Sequence, residues 1–405
     1  MKKLISLLIV MILSVNIIGC SNTQISNSSE NNQLSTKEKV EDFNQLFNTI
    51  KDGYPFLEVN KRLNDIDWVG NKDEYLERIK NTKNDEEFIN EMDLIMRDLN
   101  NGHTHLLSTA PLFSFFRDTY INKGWYDFFE DETVVNRYKN MGSEEISTTN
   151  MMQEKDILTD DVVDGKVGYI YLPQMYSEEK LVKKHMTLID DYMKNLENHQ
   201  ALIIDIRGNT GGDDAYWKSV VNKLMTENIT EKGYILFRED SEVIKDYAYK
   251  RTGGKVSNIS DLPNEVLANA PKEVSDMFTS FYYIENIMYS GFSSKFKGNI
   301  YLLVDDMVYS SAESFSIFCK ETGFATLVGE KTGGDGGGFD PVIFNLDNSG
   351  LIVRMSGDMY LTGSGVCNEE FKTTPDYEVD DVTRTSDFKD DKCIQKVLNL
   401  EDLGV

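Results

Sequence analysis

The chain has 405 residues, 40% of them hydrophobic and 11% aromatic, which is enough for a large core and more than one ordinary domain needs. Its 68 Asp and Glu against 42 Lys and Arg leave a net charge of -26. Such a surface repels nucleic-acid phosphates and anionic headgroups, so no nucleic-acid partner is expected.

Lys2 and Lys3 precede an apolar run from Leu4 to Ile18. The run is broken by Ser6, Ser14 and Asn16 and is short for a membrane span, the pattern of a secretory signal peptide. It ends Ile17-Ile18-Gly19-Cys20, which resembles a bacterial lipoprotein signal. That resemblance implies removal of residues 1–19 and lipid attachment at Cys20. The mature lipoprotein would then sit in the cell envelope on the extracytoplasmic side, touching the membrane only through its N-terminal anchor. An ordinary signal peptide containing a Cys is the alternative. Residues 20–35 are rich in Ser, Asn and Gln and read as a flexible tether. Cys319, Cys367 and Cys393 remain, an odd number that makes no disulfide framework.

A small helical N-terminal domain is expected over 36–105. Val40, Phe43, Phe47 and Ile50 recur at helical spacing over 36–52, with Gly53 and Pro55 as a stop. A second helix is expected over Asp73–Lys80. A third is opened by Asn84 and Glu87 and carries Phe88, Met92, Ile95 and Leu99. The connecting region 106–165 is aromatic, with strands expected in a weak pattern. From Lys166 the order becomes strand (166–172), helix (177–198), buried strand (201–206) and helix (214–225), which implies parallel pairing with right-handed crossovers. Further strands are expected at 233–237, 299–304 and 325–328, a helix at 311–322, a hairpin around 347–350 and a closing helix at 389–400. Residues 239–297 interrupt this order as an insertion, read either as a cover over the site or as a structural subdomain.

Three places can carry chemistry. In Asp205-Ile206-Arg207-Gly208-Asn209-Thr210-Gly211-Gly212 a buried strand runs into a glycine-rich loop and a helix, where backbone N–H groups favour negative charge. In Val304-Asp305-Asp306-Met307-Val308-Tyr309-Ser310-Ser311-Ala312-Glu313 a second buried strand ends at a serine before a helix. That is the logic of a nucleophile beside an oxyanion hole, although a lone serine there is commonly a helix cap. His103, beside a helix-ending glycine, is a candidate base. His103 with His105 reads alternatively as a metal pair, but no further His cluster completes a site, so no metal is assigned. His185 and His199 are expected to be solvated.

Together these pieces resemble one family. D-I-R-G-N-T-G-G, then S-S-A-E after a strand, then Gly329-Glu330-Lys331-Thr332-Gly333-Gly334 occur in this order in the tail-specific (C-terminal processing) serine peptidases. Upstream N-G-H-T and downstream Thr374-Pro375-Asp376-Tyr377-Glu378-Val379 fit as well. The resemblance implies an α/β fold, a ClpP/crotonase-like core of repeated β-β-α units over 166–400. It implies no cofactor and a peptide or protein substrate, and it leaves a homo-oligomer open. No PDZ module is expected between His103 and Lys166.

In one branch of the family a lysine after the T-G-G-like segment activates the serine. Asp335 stands in that place, which disfavours a Ser–Lys dyad. The branch that includes the tricorn core and the interphotoreceptor retinoid-binding protein uses a histidine and a glutamate instead. Its resemblance implies Ser310 as nucleophile, with Ser311 as the nearest alternative, and His103 as base. Glu369 would be the supporting acid, with Glu370 as its rival. The N–H of Ser311 with Gly211 or Gly212 would form the oxyanion hole. Arg207 and Asp205 would brace the loop, and Glu313 would cap the helix. The function expected is hydrolysis of peptide bonds through an acyl-enzyme. The rival is a non-catalytic binding lipoprotein on the same fold.

Overall fold

Helix α1 (Thr36–Gly53) starts at a capping box in which Ser35 and Glu38 satisfy each other's backbone N–H groups. It buries Phe43, Leu46, Phe47 and Ile50 against α2 (Leu57–Asn64), α3 (Lys72–Lys80) and α4 (Asp85–Arg97). The computed structural model describes residues 33–141, 155–290 and 296–404. The signal, Cys20 and most of the tether lie outside the described residues. No helix among the described residues is long and apolar enough to cross a membrane.

The central sheet has six strands in the order β13-β9-β8-β4-β3-β2. In chain order these are β2 (Leu158–Val163), β3 (Val167–Tyr171), β4 (Ala201–Asp205), β8 (Asn299–Val304), β9 (Thr326–Gly329) and β13 (Tyr377–Glu378). Strands β3, β4, β8, β9 and β13 run parallel and β2 antiparallel. Side chains alternate across a strand, so each face feeds its own core. Leu202, Ile204, Leu302 and Val304 pack under α7 (Glu179–Met193), α8 (Asp214–Leu224) and α12 (Ser311–Thr322). Ala201, Ile203, Tyr301 and Leu303 pack under α14 (Lys392–Leu400). Cys319, Cys367 and Cys393 are all free and buried.

The connecting region departs from expectation. Its described residues hold only the short β1 (His105–Leu106) and β2 as strands. Between them lie α5 (Ala110–Tyr120), capped by Thr109, and α6 (Glu132–Asn140), capped by Asp131. Phe113, Phe116 and Tyr120 share one helical face, and the Phe113 ring stacks on Tyr138 at 4.3 Å. Residues 142–154 lie outside the described residues.

Segment 239–297 is not a separate piece. It supplies α9 (Glu242–Thr252), β6 (Ser257–Asn258), α10 (Asn264–Leu267), α11 (Val274–Met277) and β7 (Ser280–Met288). Strand β7 pairs along the whole of β5 (Ile229–Phe237), and with β12 (Met359–Thr362) and β6 they form a second sheet, β12-β5-β7-β6. A third sheet joins β1 to the hairpin of β10 (Val342–Asn345) and β11 (Ile352–Met355). Side chains of α1 to α4, β5, α9, β11 and β12 share one core, so the N-terminal helices are not a separate domain. Leu34–Val405 is one compact unit.

Candidate active site

Strands β4 and β8 are parallel neighbours, so the loops after their carboxyl ends lie side by side, where ligands of open α/β sheets bind. The first loop is braced from below. Arg207 is buried between Asp205 (2.6 Å) and Asp391 (2.7 Å), and its Nη1 also donates to the Val382 carbonyl. Burial opposes the guanidinium charge, but the two carboxylates outweigh it and keep Arg207 firmly protonated. Asp391 also caps α14, which ties the loop to the last helix.

The second loop ends at Ser310, the residue before α12, with φ 58° and ψ -122°. A non-glycine residue in this region is strained by on the order of 1–3 kcal/mol. Its N–H donates to the Gly334 carbonyl (3.2 Å) and its carbonyl accepts Ser314 N–H (2.9 Å). The backbone is thus pinned on both sides while Oγ faces the histidine. His103 follows α4 and precedes β1, and Arg354 of β11 donates to its carbonyl. Its Nε2 lies 3.0 Å from Ser310 Oγ and its Nδ1 lies 2.7 Å from Asp335 Oδ2.

Ser310 and His103 therefore meet, but the carboxylate on the imidazole is Asp335 and not Glu369. Asp335 Oδ2 also accepts from Asn101 Nδ2 (2.7 Å) and the Tyr309 hydroxyl (2.9 Å). Burial pushes this carboxyl up, but the His103 charge and the hydrogen bonds from His103, Asn101 and Tyr309 hold it well below the usual carboxylate range. Glu369 stands on the far side of Asn101, accepting from Asn101 Nδ2 (3.3 Å) and Lys372 Nζ (2.9 Å). Burial first, then the Asp335 charge, pushes its carboxyl up. Glu370 is turned away into a two-point pair with Arg62.

The other site residues divide. Gly211 cannot supply an oxyanion donor, because its N–H is already held by Asn209 Oδ1 (2.9 Å). Its part is close approach: φ is +102°, and a Cβ there would lie 2.8 Å from Ser310 Cβ and 2.9 Å from the Ser311 nitrogen. The N–H groups of Gly212 and Ser311 have no acceptor among the described residues. Ser311 Oγ is buried and has no hydrogen-bond partner among the described residues, so it does not face the histidine. Glu313 does not cap α12. It is buried and accepts from Asn368 (2.6 Å) and Thr373 (2.7 Å), fastening α12 to the 368–373 segment.

The remaining histidines are not solvated. His185 is fully buried with Nδ1 2.8 Å from the Tyr216 hydroxyl, and His199 is buried with Nε2 3.0 Å from Asp161. The His105 ring lies 5.9 Å from the Phe116 ring, and burial pushes its pKa down to about 4. Both His103 nitrogens are engaged by Ser310 and Asp335, and among the described residues no three His, Cys, Asp or Glu side chains form a metal-binding group. Asp335 is the functional side chain that the sequence reading did not assign. Its signal was present: a carboxylate, after two glycines, in the position of a catalytic lysine.

The profile described as Peptidase family S41 matches residues 166–379, just over half of the chain. The chain belongs to peptidase family S41. Among solved structures it is similar to a Parabacteroides merdae protein assigned as a peptidase. Identity is 20% and the TM-score 0.58, over 89% of this chain and 96% of that one. It is similar also to mature CPAF in complex with lactacystin, at 13% identity and a TM-score of 0.56, over 91% of this chain and 98% of that one. At these identities the likeness shows a common fold. The S41 match spans both loops that carry Arg207 to Gly212 and Ser310 to Asp335, while His103 lies outside it, on the helical N-terminal side.

Proposed function

We propose that this S41 peptidase is of the serine type and hydrolyses peptide bonds through an acyl-enzyme formed on Ser310. The observation that carries this reading is the unbroken series Ser310 Oγ, His103 Nε2, His103 Nδ1, Asp335 Oδ2. His103 takes the Ser310 proton as Oγ attacks the scissile carbonyl, and Asp335 holds the ring and stabilises the imidazolium that forms. The carbonyl oxygen, now negative, accepts from the free N–H groups of Ser311 and Gly212 at the start of α12 and the end of the glycine loop. His103 passes its proton to the leaving amine, and the Ser310 ester remains. Water then repeats the sequence and releases the acid. On residues 2–20 alone, the mature protein is read as anchored through Cys20 on the outer side of the membrane.

The test is labelling of the full chain with a fluorophosphonate probe. Wild type and Ser311→Ala should label, Ser310→Ala should not, and His103→Ala should label at least about 100-fold more slowly. Labelling that survives in Ser310→Ala sinks the assignment.

Gly211→Ala gives an independent check of the oxyanion geometry. Its methyl would enter the space beside the Ser311 N–H, and its φ of +102° disfavours any side chain. The labelling rate should fall by about 100-fold or more while far-ultraviolet circular dichroism stays that of wild type. A rate within threefold of wild type, a difference of roughly 0.7 kcal/mol, would remove Ser311 from the hole.

A further inference from the structure

Tyr309 meets each member of the series from Ser310 to Asp335 with a different part of itself. Its backbone leads into the strained Ser310 and is held on both sides. The N–H donates to the Asn209 carbonyl (3.3 Å) and the carbonyl accepts the Ala312 N–H (3.1 Å). Its ring packs on the His103 ring, with centroids 4.8 Å apart and planes tilted by 52°. Its hydroxyl donates to Asp335 Oδ2 at 2.9 Å, the same oxygen that holds His103 Nδ1 at 2.7 Å.

The phenol reaches this place because residue 102 has no side chain. A Cβ at Gly102 would lie 3.1 Å from the Tyr309 hydroxyl oxygen and 3.2 Å from Cζ, closer than ordinary contact. Burial first, then the Asp335 and Glu369 charges, push the Tyr309 phenol well above its ordinary value, so it stays a donor through neutral pH.

Asp335 Oδ2 thus serves several donors: His103 Nδ1, Asn101 Nδ2 (2.7 Å), the Tyr309 hydroxyl and, at longer range, Ser356 Oγ (3.3 Å). Each added donor spreads the carboxylate charge and weakens its pull on the proton at Nδ1. The O–H dipole also turns its positive end toward the oxygen beside the imidazole. Both effects disfavour the imidazolium and leave His103 able to accept a proton at lower pH. Other charges reach the pair. Glu369, Asp358 and Tyr54 act on Asp335, while His105 and Arg354 lie on the His103 side. A variant that loses only the phenol oxygen leaves all of them in place.

We propose that Tyr309 is a positioning residue of the hydrolytic site: its ring sets the plane of His103, and its hydroxyl, by sharing Asp335 Oδ2 with Nδ1, keeps the imidazole neutral and ready to take the Ser310 proton. This rests on the serine-peptidase reading of Ser310.

The test is the rate of fluorophosphonate labelling of the full chain as a function of pH, which needs no peptide substrate. In wild type the rate should rise as His103 loses its proton and then level off. Tyr309→Phe keeps the ring and should move the midpoint of that rise upward by at least about 0.5 pH unit. The midpoint is read within each variant, so a partial loss of folded protein does not imitate the shift. Tyr54→Phe is the control. Tyr54 is a second buried phenol that senses the Asp335 and Glu369 charges but donates to neither carboxylate, so its midpoint should stay that of wild type. Tyr309→Leu removes the ring as well, and its plateau rate should lie at least about tenfold below that of Tyr309→Phe. Should the leucine variant fail to fold, as judged by circular dichroism, Tyr309→Phe still tests the hydroxyl. A smaller or downward shift in Tyr309→Phe, or an equal one in Tyr54→Phe, overturns the role of the hydroxyl. Equal plateaus for the phenylalanine and leucine variants overturn the role of the ring. A wild type that does not label overturns the serine reading and the proposal with it.

Discussion

Asp335→Asn is expected to lower peptide hydrolysis about 10⁴-fold with little change in KM. The asparagine fits the same space, but it offers His103 an amide where a carboxylate had accepted from Nδ1–H. The ring then loses the tautomer that leaves Nε2 free to accept the Ser310 proton, and the imidazolium loses its counter-charge. Glu369→Gln provides the contrast. Burial and the nearby Asp335 charge favour the protonated Glu369, and glutamine copies that form, so turnover should stay within about tenfold of wild type. Equal losses from the two variants would contradict the division of roles drawn from the distances. The Asp335 carboxyl also fixes the sign of an acid effect. Its folded pKa is depressed, so its stabilisation is complete above the unfolded value of about 4 and is lost as pH falls below it. Thermal unfolding should therefore show the gap between wild type and Asp335→Asn closing on acidification through that range.

Arg207→Met should destabilise the fold by about 3–5 kcal/mol and shift the urea midpoint downward. Arg207 is 3% exposed, and Asp205 and Asp391 are fully buried on either side of it. Removing the cation leaves two like charges facing each other in a site that water does not reach. Asp205 keeps the backbone N–H of residue 207 (3.0 Å), the Tyr169 hydroxyl (2.7 Å) and a longer approach from Arg384 (4.0 Å), while Asp391 keeps its cap on α14. Replacing all three by apolar residues should cost less than the single change, because it removes the stranded charges as well as the pair. An Arg207→Met midpoint equal to wild type would mean that the loop is not braced from below.

The parts of the fold that repeat were legible. Strands β4 and β8 are continuous apolar runs that end in loops with glycine or serine, and such runs have few alternatives to a buried parallel strand. Ser310 and His103 could be singled out only through the family resemblance, because a serine before a helix is by itself commonly a cap. The supporting acid was not legible, since Asp335 and Glu369 both approach Asn101 and only folded geometry decides which one reaches the imidazole. Asp335 does so from a backbone with φ 51°, a turn set by Gly333 and Gly334 against the nucleophile loop. The aromatic stretch around Phe113 was misread because its short helices alternate with 3₁₀ turns, which breaks the period that would have revealed them. Likewise nothing local in 239–297 announces that β7 must lie along β5, a pairing across some fifty residues.

Ser310 and His103 are 207 residues apart in the chain, and Asp391, which steadies the loop beneath them, is near its end. The proposed site is therefore carried by no single segment, and it assembles only when stretches from both halves of the chain have folded onto one another. Loss of α14 with its cap would remove Asp391, and with it one of the two carboxylates that hold Arg207 under the glycine loop.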